Sequence, residues 1–281
     1  MEFYRNEKVT EHITRIRAFF DDACMYYIRG EKKGLLVDTG YGFGDLKGYV
    51  DKLADQPYDV VLSHGHLDHA NGAGQWEKVY MNHKDIELYH SHSPIADRRQ
   101  FLKKYVPDLD SYDDSYFVKE HDDSFTDLKD DQEFDLGGVT VTAYEAPGHT
   151  KGMMVFLVKE DRTMLFGDAC GVFTLFCLGE STSLEEYIVT LNKLKSLMSQ
   201  YDRILRQHGT CESPLGLVDE DIDIVKSILN GTDDHDPIEF NGMHCFAGRK
   251  IDPATKARAD GKEGNVIYMP EKVFKEKEYE N

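Results

Sequence analysis

Between Val61 and Gly72 the chain reads VLSHGHLDHANG, with His64, His66, Asp68 and His69 inside six positions. Imidazole nitrogens and carboxylate oxygens at this density are the donors that hold a divalent cation. His64 and His66 are two apart, so an extended backbone turns both rings the same way. Asp68 and His69 follow where the chain should turn into a helix, and they can address a neighbouring point. Two adjacent loci with nitrogen and oxygen donors are what a two-cation centre needs. Further donors follow in usable places: His149 in APGHT, Asp168 at the end of MLFGD and His208 at the end of RILRQHG. Each alone reads as a hydrogen-bonded strand-end residue. Together the seven sit where sites on α/β scaffolds collect, at strand ends and in adjoining loops.

The elements that must position them are short apolar runs alternating with helical patterns. GLLVDTG (34–40) is a buried-strand run closed by a turn, and Leu46, Tyr49, Val50 and Leu53 follow helical spacing. YDVVLSHG (58–65) is a second strand that runs into the histidines. EFDLGGVTVTA predicts a hairpin turning at Gly137-Gly138, and GMMVFLV and RTMLFGD are two more strands. Ser183 and Glu186 form a capping box ahead of a helix whose stripe is Leu184, Tyr187, Ile188, Leu191 and Leu194. Another helix runs through Ile222, Val225 and Leu229 and stops at Asn230-Gly231.

An internal echo links these pieces. LLVDTG, a helix and YDVVLSHG are answered by MLFGDA, a helix and YDRILRQHG. Each half is a strand ending in Asp, a crossover helix and a strand ending in His-Gly, which suggests two similar α/β halves meeting at their strand ends. One domain over 1–281 is expected, with an inserted lid-like segment at about 88–131 and a C-terminal extension at about 232–281. The acid runs DLDSYDD and DLKDD lack the glycine and terminal glutamate of a calcium loop and read as solvated surface.

Bulk properties narrow the function. The 281 residues are 40% hydrophobic and carry a net charge of −19, enough apolar content for a core and a surface that repels a phosphate backbone. Nucleic acid is therefore not an expected partner. No apolar run is long enough to span a bilayer, and MEFYRNEKVTEHITRIR has no hydrophobic signal core. Five cysteines without a C-x-x-C pair suggest reduced thiols. A soluble cytoplasmic protein acting on a small-molecule substrate is the expectation.

At the donor residues the sequence resembles the metallo-β-lactamase-fold hydrolase superfamily: LLVDTG, HGHLDH, APGHT, FGDA and QHG follow in family order across most of the chain. The resemblance implies a four-layer αββα sandwich of two similar halves. It implies that His64, His66 and His149 hold one metal, that Asp68, His69 and His208 hold the other, and that Asp168 bridges both. Asp38 of VDTG matches a family position that supports the site from behind the ligands.

Departures from the pattern sort the branches. Position 168 is Asp rather than the Cys of common zinc β-lactamases, and position 66 is His rather than the Glu of the flavodiiron branch. Gly171 stands where the similar quorum-signal lactonases carry tyrosine. What remains is the glyoxalase-II-like group of thioester, ester and lactone hydrolases. Two divalent ions, zinc foremost with manganese and iron also suited to these donors, would share a bridging hydroxide that attacks the carbonyl. Asp68 would orient that nucleophile and move a proton toward the leaving group. A phosphodiesterase or phosphoesterase using the same site, and a non-hydrolytic metal-binding redox or sensor protein, are the alternatives.

Other conspicuous residues have plainer readings. Arg98, Arg99, Lys103 and Lys104 of DRRQFLKK are expected to form a solvated helix face, and His83, His90 and His92 to face water. ACGVFTLFCLG, after Asp168, is either an acyl pocket or core. Cys170, Cys177 and Cys245 read as buried thiols, and His244 as a surface residue.

Overall fold

The short apolar runs of the first 127 residues pair into a sheet whose strands lie in sequence order. In the computed structural model, which describes residues 3–20, 22–122 and 124–275, these are β1 (Tyr4–Lys8), β2 (Ile13–Ala18), β3 (Cys24–Arg29), β4 (Gly34–Val37), β5 (Tyr58–Val61), β6 (Tyr80–Met81) and β7 (Thr126–Asp127). β1 to β4 form an antiparallel meander. Helix α1 (Leu46–Leu53), capped by the Asp45 side chain, then carries the chain across to β5, which lies parallel to β4.

A second sheet contains β8 (Gln132–Asp135), β9 (Thr140–Glu145), β10 (Met154–Val158) and β11 (Thr163–Leu165). After β12 (Thr174–Phe176), which leaves for another sheet, β13 (Arg203–Leu205) and β14 (Glu212–Ser213) complete it. The β8–β9 hairpin turns through Gly137 and Gly138, both at positive φ, as expected of that pair. β11 and β13 are parallel and joined through a helix, α5 (Leu184–Leu197), whose Ser183–Glu186 capping box is formed. The echo in the sequence is thus two parallel strand–helix–strand units, one in each sheet.

The faces pack as four layers. Leu35, Val37 and Val61 of the first sheet meet Val141, Phe156, Leu165 and Leu205 of the second in a central core. The first sheet's outer face buries Leu36 and Val60 against Leu46 and Val50 of α1. On the second, Val155, Met164 and Ile204 pack against α5 and α6 (Leu217–Leu229) through Leu191, Leu194, Ile222 and Val225. Each fully buried aliphatic side chain contributes about 2 kcal/mol, so this helix–sheet–sheet–helix packing holds the strand ends, and the donors beyond them, in place.

Among the described residues a third sheet of four strands, ordered β12-β17-β16-β15, was not anticipated. β15 (Asp236–Phe240), β16 (Met243–Ala247) and β17 (Val266–Tyr268) come from the C-terminal extension, and β17 pairs in parallel with β12. Residues 276–281 of that extension lie outside the described residues.

The inserted segment packs onto the first half of the chain. It contains α3 (Ile86–His92) and α4 (Ile95–Leu102), and Leu102, Val106, Leu109 and Phe117 cluster with Tyr41, Phe43 and Leu67. The expected solvated face of DRRQFLKK is corrected here. Arg98 is only 1% exposed, and it donates to the carbonyl oxygens of Val118 at 2.8 Å and of Tyr41 and Gly42 at 3.4 Å. Arg99 donates to the carbonyls of Leu109 and Tyr112 and to Asp114. Carbonyls in irregular chain lack ladder partners, and the planar guanidinium supplies several donors at once. Lys103 and Lys104 are exposed, as are Asp108, Asp110, Asp113 and Asp114. Among the described residues no helix is long and apolar enough to cross a membrane.

Candidate metal centre

Beyond β5 the chain bends at Ser63 and Gly65 and reaches His66, whose extended backbone precedes α2 (Leu67–Ala70). This loop turns His64 and His66 to one point, and the helix turns Asp68 and His69 to another. His64 Nε2 and His149 Nε2 lie 3.0 and 2.9 Å from His66 Nδ1. All three residues are buried. Alongside, His208 Nε2 lies 3.2 Å from both His69 Nε2 and Asp68 Oδ2. Asp168 Oδ2 sits between the two groups, 3.7 Å from His149 Nε2, 3.7 Å from His69 Nε2 and 3.5 Å from His208 Nε2. The structure therefore brings all seven predicted side chains to one place, at the C-terminal strand ends of both halves.

The outer atoms of the rings show whether these donors suit cations. His64 Nδ1 lies 3.0 Å from Ser63 Oγ, His66 Nε2 2.7 Å from Glu180 Oε1, and His69 Nδ1 2.9 Å from Asp38 Oδ2. His149 Nδ1 lies 3.3 Å from the Leu175 carbonyl, and His208 Nδ1 3.4 Å from Asp22 Oδ1. An acceptor outside directs one ring proton outward and makes the inward nitrogen the one to face a cation, bare on His64 and His149 and still to be deprotonated on His69 and His208. Ser63 Oγ can accept from His64 because its own proton goes to Asp38 Oδ2 at 2.8 Å. The donor set fits a pair of divalent cations.

Two buried carboxylates brace the loops. Asp38, at φ 67°, accepts from Ser63 N at 2.7 Å and from Gln207 Nε2 at 3.1 Å, besides holding His69, and so ties the two halves together. Asp85 accepts from Gly65 N, Thr150 Oγ1 and Gly152 N, clamping the His64–His66 loop to the loop of His149.

The two donor groups differ in charge. Burial, with His66 beside it, pushes His149 down to about 4, and burial with neighbouring imidazoles holds His64 well below its ordinary value. At His69 burial opposes the charge, but Asp68 and Asp168 outweigh it and lift the ring to about 10. His208 is raised in the same way, against its burial, by Asp168, Asp22 and Asp68. Asp68 and Asp168 are in turn held below the usual carboxylate range despite burial, chiefly by His69 for the first and His208 for the second. Burial thus disfavours charge on His64 and His149, whereas His69 and His208 are balanced by carboxylates.

Sequence reasoning missed Glu180 and Asp22, two loop acids among 52 with no spacing signal. It also misplaced His92, which does not face water: half-buried, its ring stacks on His66 at 5.3 Å because α3 returns over the HGH loop. His83 is exposed as expected, while His90 is half-buried and pairs with Glu120. Tyr41 and Tyr105, from opposite sides of the insertion boundary, stand near Asp22 and Asp68. Cys170 donates to Asp221 at 3.2 Å, and burial pushes its thiol well up; Cys177 and Cys245 are also buried. ACGVFTLFCLG divides: Ala169, Cys170 and Phe176 are core, whereas Leu175 and Leu178 are half-exposed.

Comparison with known proteins agrees with this geometry. The family model described as Metallo-beta-lactamase superfamily matches residues 21–197, which leaves β15 and β16 outside the matched region. The chain is 24% identical over 266 residues to the acyl-coenzyme A thioesterase MBLAC2 of Bos taurus, covering 82% of this chain and 81% of that one. It is 26% identical over 192 residues to the probable polyketide biosynthesis zinc-dependent hydrolase BaeB of Bacillus velezensis, covering 66% and 72%. An archaeal metallo-beta-lactamase superfamily protein of Sulfolobus tokodaii superposes with a TM-score of 0.52 at 21% identity, covering 74% of this chain and 81% of that one.

Proposed function

The chain belongs to the metallo-beta-lactamase superfamily and is a metal-dependent hydrolase, and on that premise we propose that it opens acyl thioesters or related carboxylic esters and lactones at a pair of divalent cations, zinc foremost. The observation that carries the reading is the inward convergence of seven donors, two carboxylates and five imidazoles whose outer ring nitrogens each meet an oxygen partner. The thioester class draws support from the bovine relative's activity, and zinc from the bacterial one.

Cations held here would supply water acidified toward neutrality and positive charge for the oxyanion that forms on the carbonyl. The chain's own residues do the rest. His64, His66 and His149 would hold one cation and Asp68, His69 and His208 the other, with Asp168 placed between the two groups. Asp38 keeps the His69 proton at Nδ1 and, through Ser63, the His64 proton at Nδ1. Asp68, kept ionised, orients the attacking water, takes its proton on the carboxylate and hands it to the departing sulfur or oxygen. The same reading takes the protein as cytosolic, with small-molecule substrates and no nucleic-acid partner, supported by five unpaired thiols and the −19 charge.

The test is a panel of a thioester, a lactone and bis-p-nitrophenyl phosphate with metal-loaded protein. Turnover of a carbonyl substrate is expected, and its abolition in His66→Ala and Asp168→Ala with the fold retained. Cleavage of the phosphodiester alone would move the assignment to a phosphodiesterase. Unchanged turnover in either variant, with metal content measured, would overturn the site.

A further inference from the structure

Resting on the carbonyl-hydrolase reading, we infer that the partly exposed apolar face of the third sheet, formed by β12 and the β15–β16 hairpin, seats the substrate's acyl chain and selects long, linear acyl groups.

The register defines that face. Ile238 pairs with Cys245 and Phe240 with Met243, while Ala247 and Leu175 both flank Ile267, so all seven side chains lie on one side of the sheet. The opposite side is already used: Phe246 and Tyr268 pack into the core that α6 shares. On the inferred face Cys245, Ala247 and Ile267 are buried at the back, and Leu175, Leu178, Ile238, Phe240 and Met243 pack against them half-buried. Five clustered apolar side chains that each keep some surface open to solvent form a patch able to take an apolar ligand.

The face is continuous with the donor cluster. The Leu175 carbonyl lies 3.3 Å from His149 Nδ1, and Ser181 Oγ donates to the carbonyls of both His149 and Leu175, at 2.9 and 3.2 Å. Glu180, on His66, follows Leu178 by two residues. At its far end the hairpin tip meets the insertion, where Lys104 Nζ donates to Asn241 Oδ1 at 3.4 Å. The neighbouring Tyr105 stands near Asp22, the acceptor behind His208. The apolar strip therefore begins beside the His149 donor group and runs to the inserted segment. A carbonyl placed at the donors has this strip beside it, and an acyl chain is the part of an ester that is apolar, linear and uncharged. The occupant that fits is that chain.

The experiment uses metal-loaded protein, with acetyl and decanoyl N-acetylcysteamine thioesters for turnover and acetate and decanoate for calorimetric binding. Each buried methylene is worth about fourfold in affinity, so decanoate is expected to bind at least about tenfold more tightly than acetate. The decanoyl-to-acetyl ratio of kcat/KM should favour decanoyl similarly. Phe240→Ser should lower both ratios about tenfold, and Leu178→Ser, on a different element, should do the same should the first variant misfold. Val189→Ser, 68% exposed on α5, should leave them unchanged. Turnover with no decanoyl preference, or with ratios untouched by Phe240→Ser and Leu178→Ser, would overturn the acyl surface and leave the hydrolase reading standing. Tighter binding of decanoate, lost in the variants, without turnover of either thioester would keep the surface and remove the hydrolase reading.

Discussion

The His64–His66–His149 group and the Asp68–His69–His208 group share one carboxylate, Asp168, yet they are built differently. The first is the more buried, with burial disfavouring charge on His64 and His149. The second is half-open, with Asp68 and His208 side chains 17% and 30% exposed, and it balances raised imidazoles against ionised carboxylates. A cation at His64 and His149 would meet imidazoles that are already bare, whereas one at His69 and His208 would have to displace protons. A buried pocket suits permanent holding; an open, charged one suits contact with substrate.

The largest expected effect comes from the residue that joins them. Asp168→Ala should abolish turnover and reduce loading to at most one cation per chain, measured by elemental analysis; full loading would show that the groups are independent. Asp38→Asn is next. Asparagine tolerates the φ of 67° but lacks the carboxylate that holds Ser63, His69 and Gln207. Metal affinity should fall about 100-fold in both groups, and a loss confined to one would break the account of Asp38 as their common brace.

The charge difference predicts separate pH dependences. His69, lifted to about 10, and His208, also raised, must shed protons to bind, while His149 at about 4 is already bare at neutral pH. Because a raised pKa favours the protonated, cation-free form at lower pH, affinity in the second group should climb with pH up to about 10. The slope should be about tenfold per unit for each proton expelled. In the first, protons on His149 and His64 should not compete above about pH 5, so its slope should be the shallower. Competition with a chromophoric chelator between about pH 6 and 9 would show it, and parallel slopes would contradict the contrast. Glu180→Gln, which keeps a hydrogen-bonding oxygen beside His66, should be mildest: about tenfold weaker binding in the first group alone, read in the same competition.

The seven donors were legible because histidine and aspartate are conspicuous immediately after apolar strands, and because strand–helix–strand occurs twice. Asp38 emerged only through resemblance, since a lone acid closing a strand also reads as a turn residue. Glu180 and Asp22 were hidden because tertiary folding alone brings their loops to His66 and His208. The charge-run rule failed at Arg98, where buried loop carbonyls needed a donor more than the surface needed a cation. The third sheet was invisible for a related reason: β12 has three residues, and its partner β17 begins 90 residues later, at Val266. No local periodicity reports such a pairing.

Elemental analysis of protein purified without chelators and then saturated with zinc tests the paired centre most directly. Two ions per chain, with one resisting dilute chelator after the other is removed, is the predicted result. A single ion at saturation, or none, would contradict it.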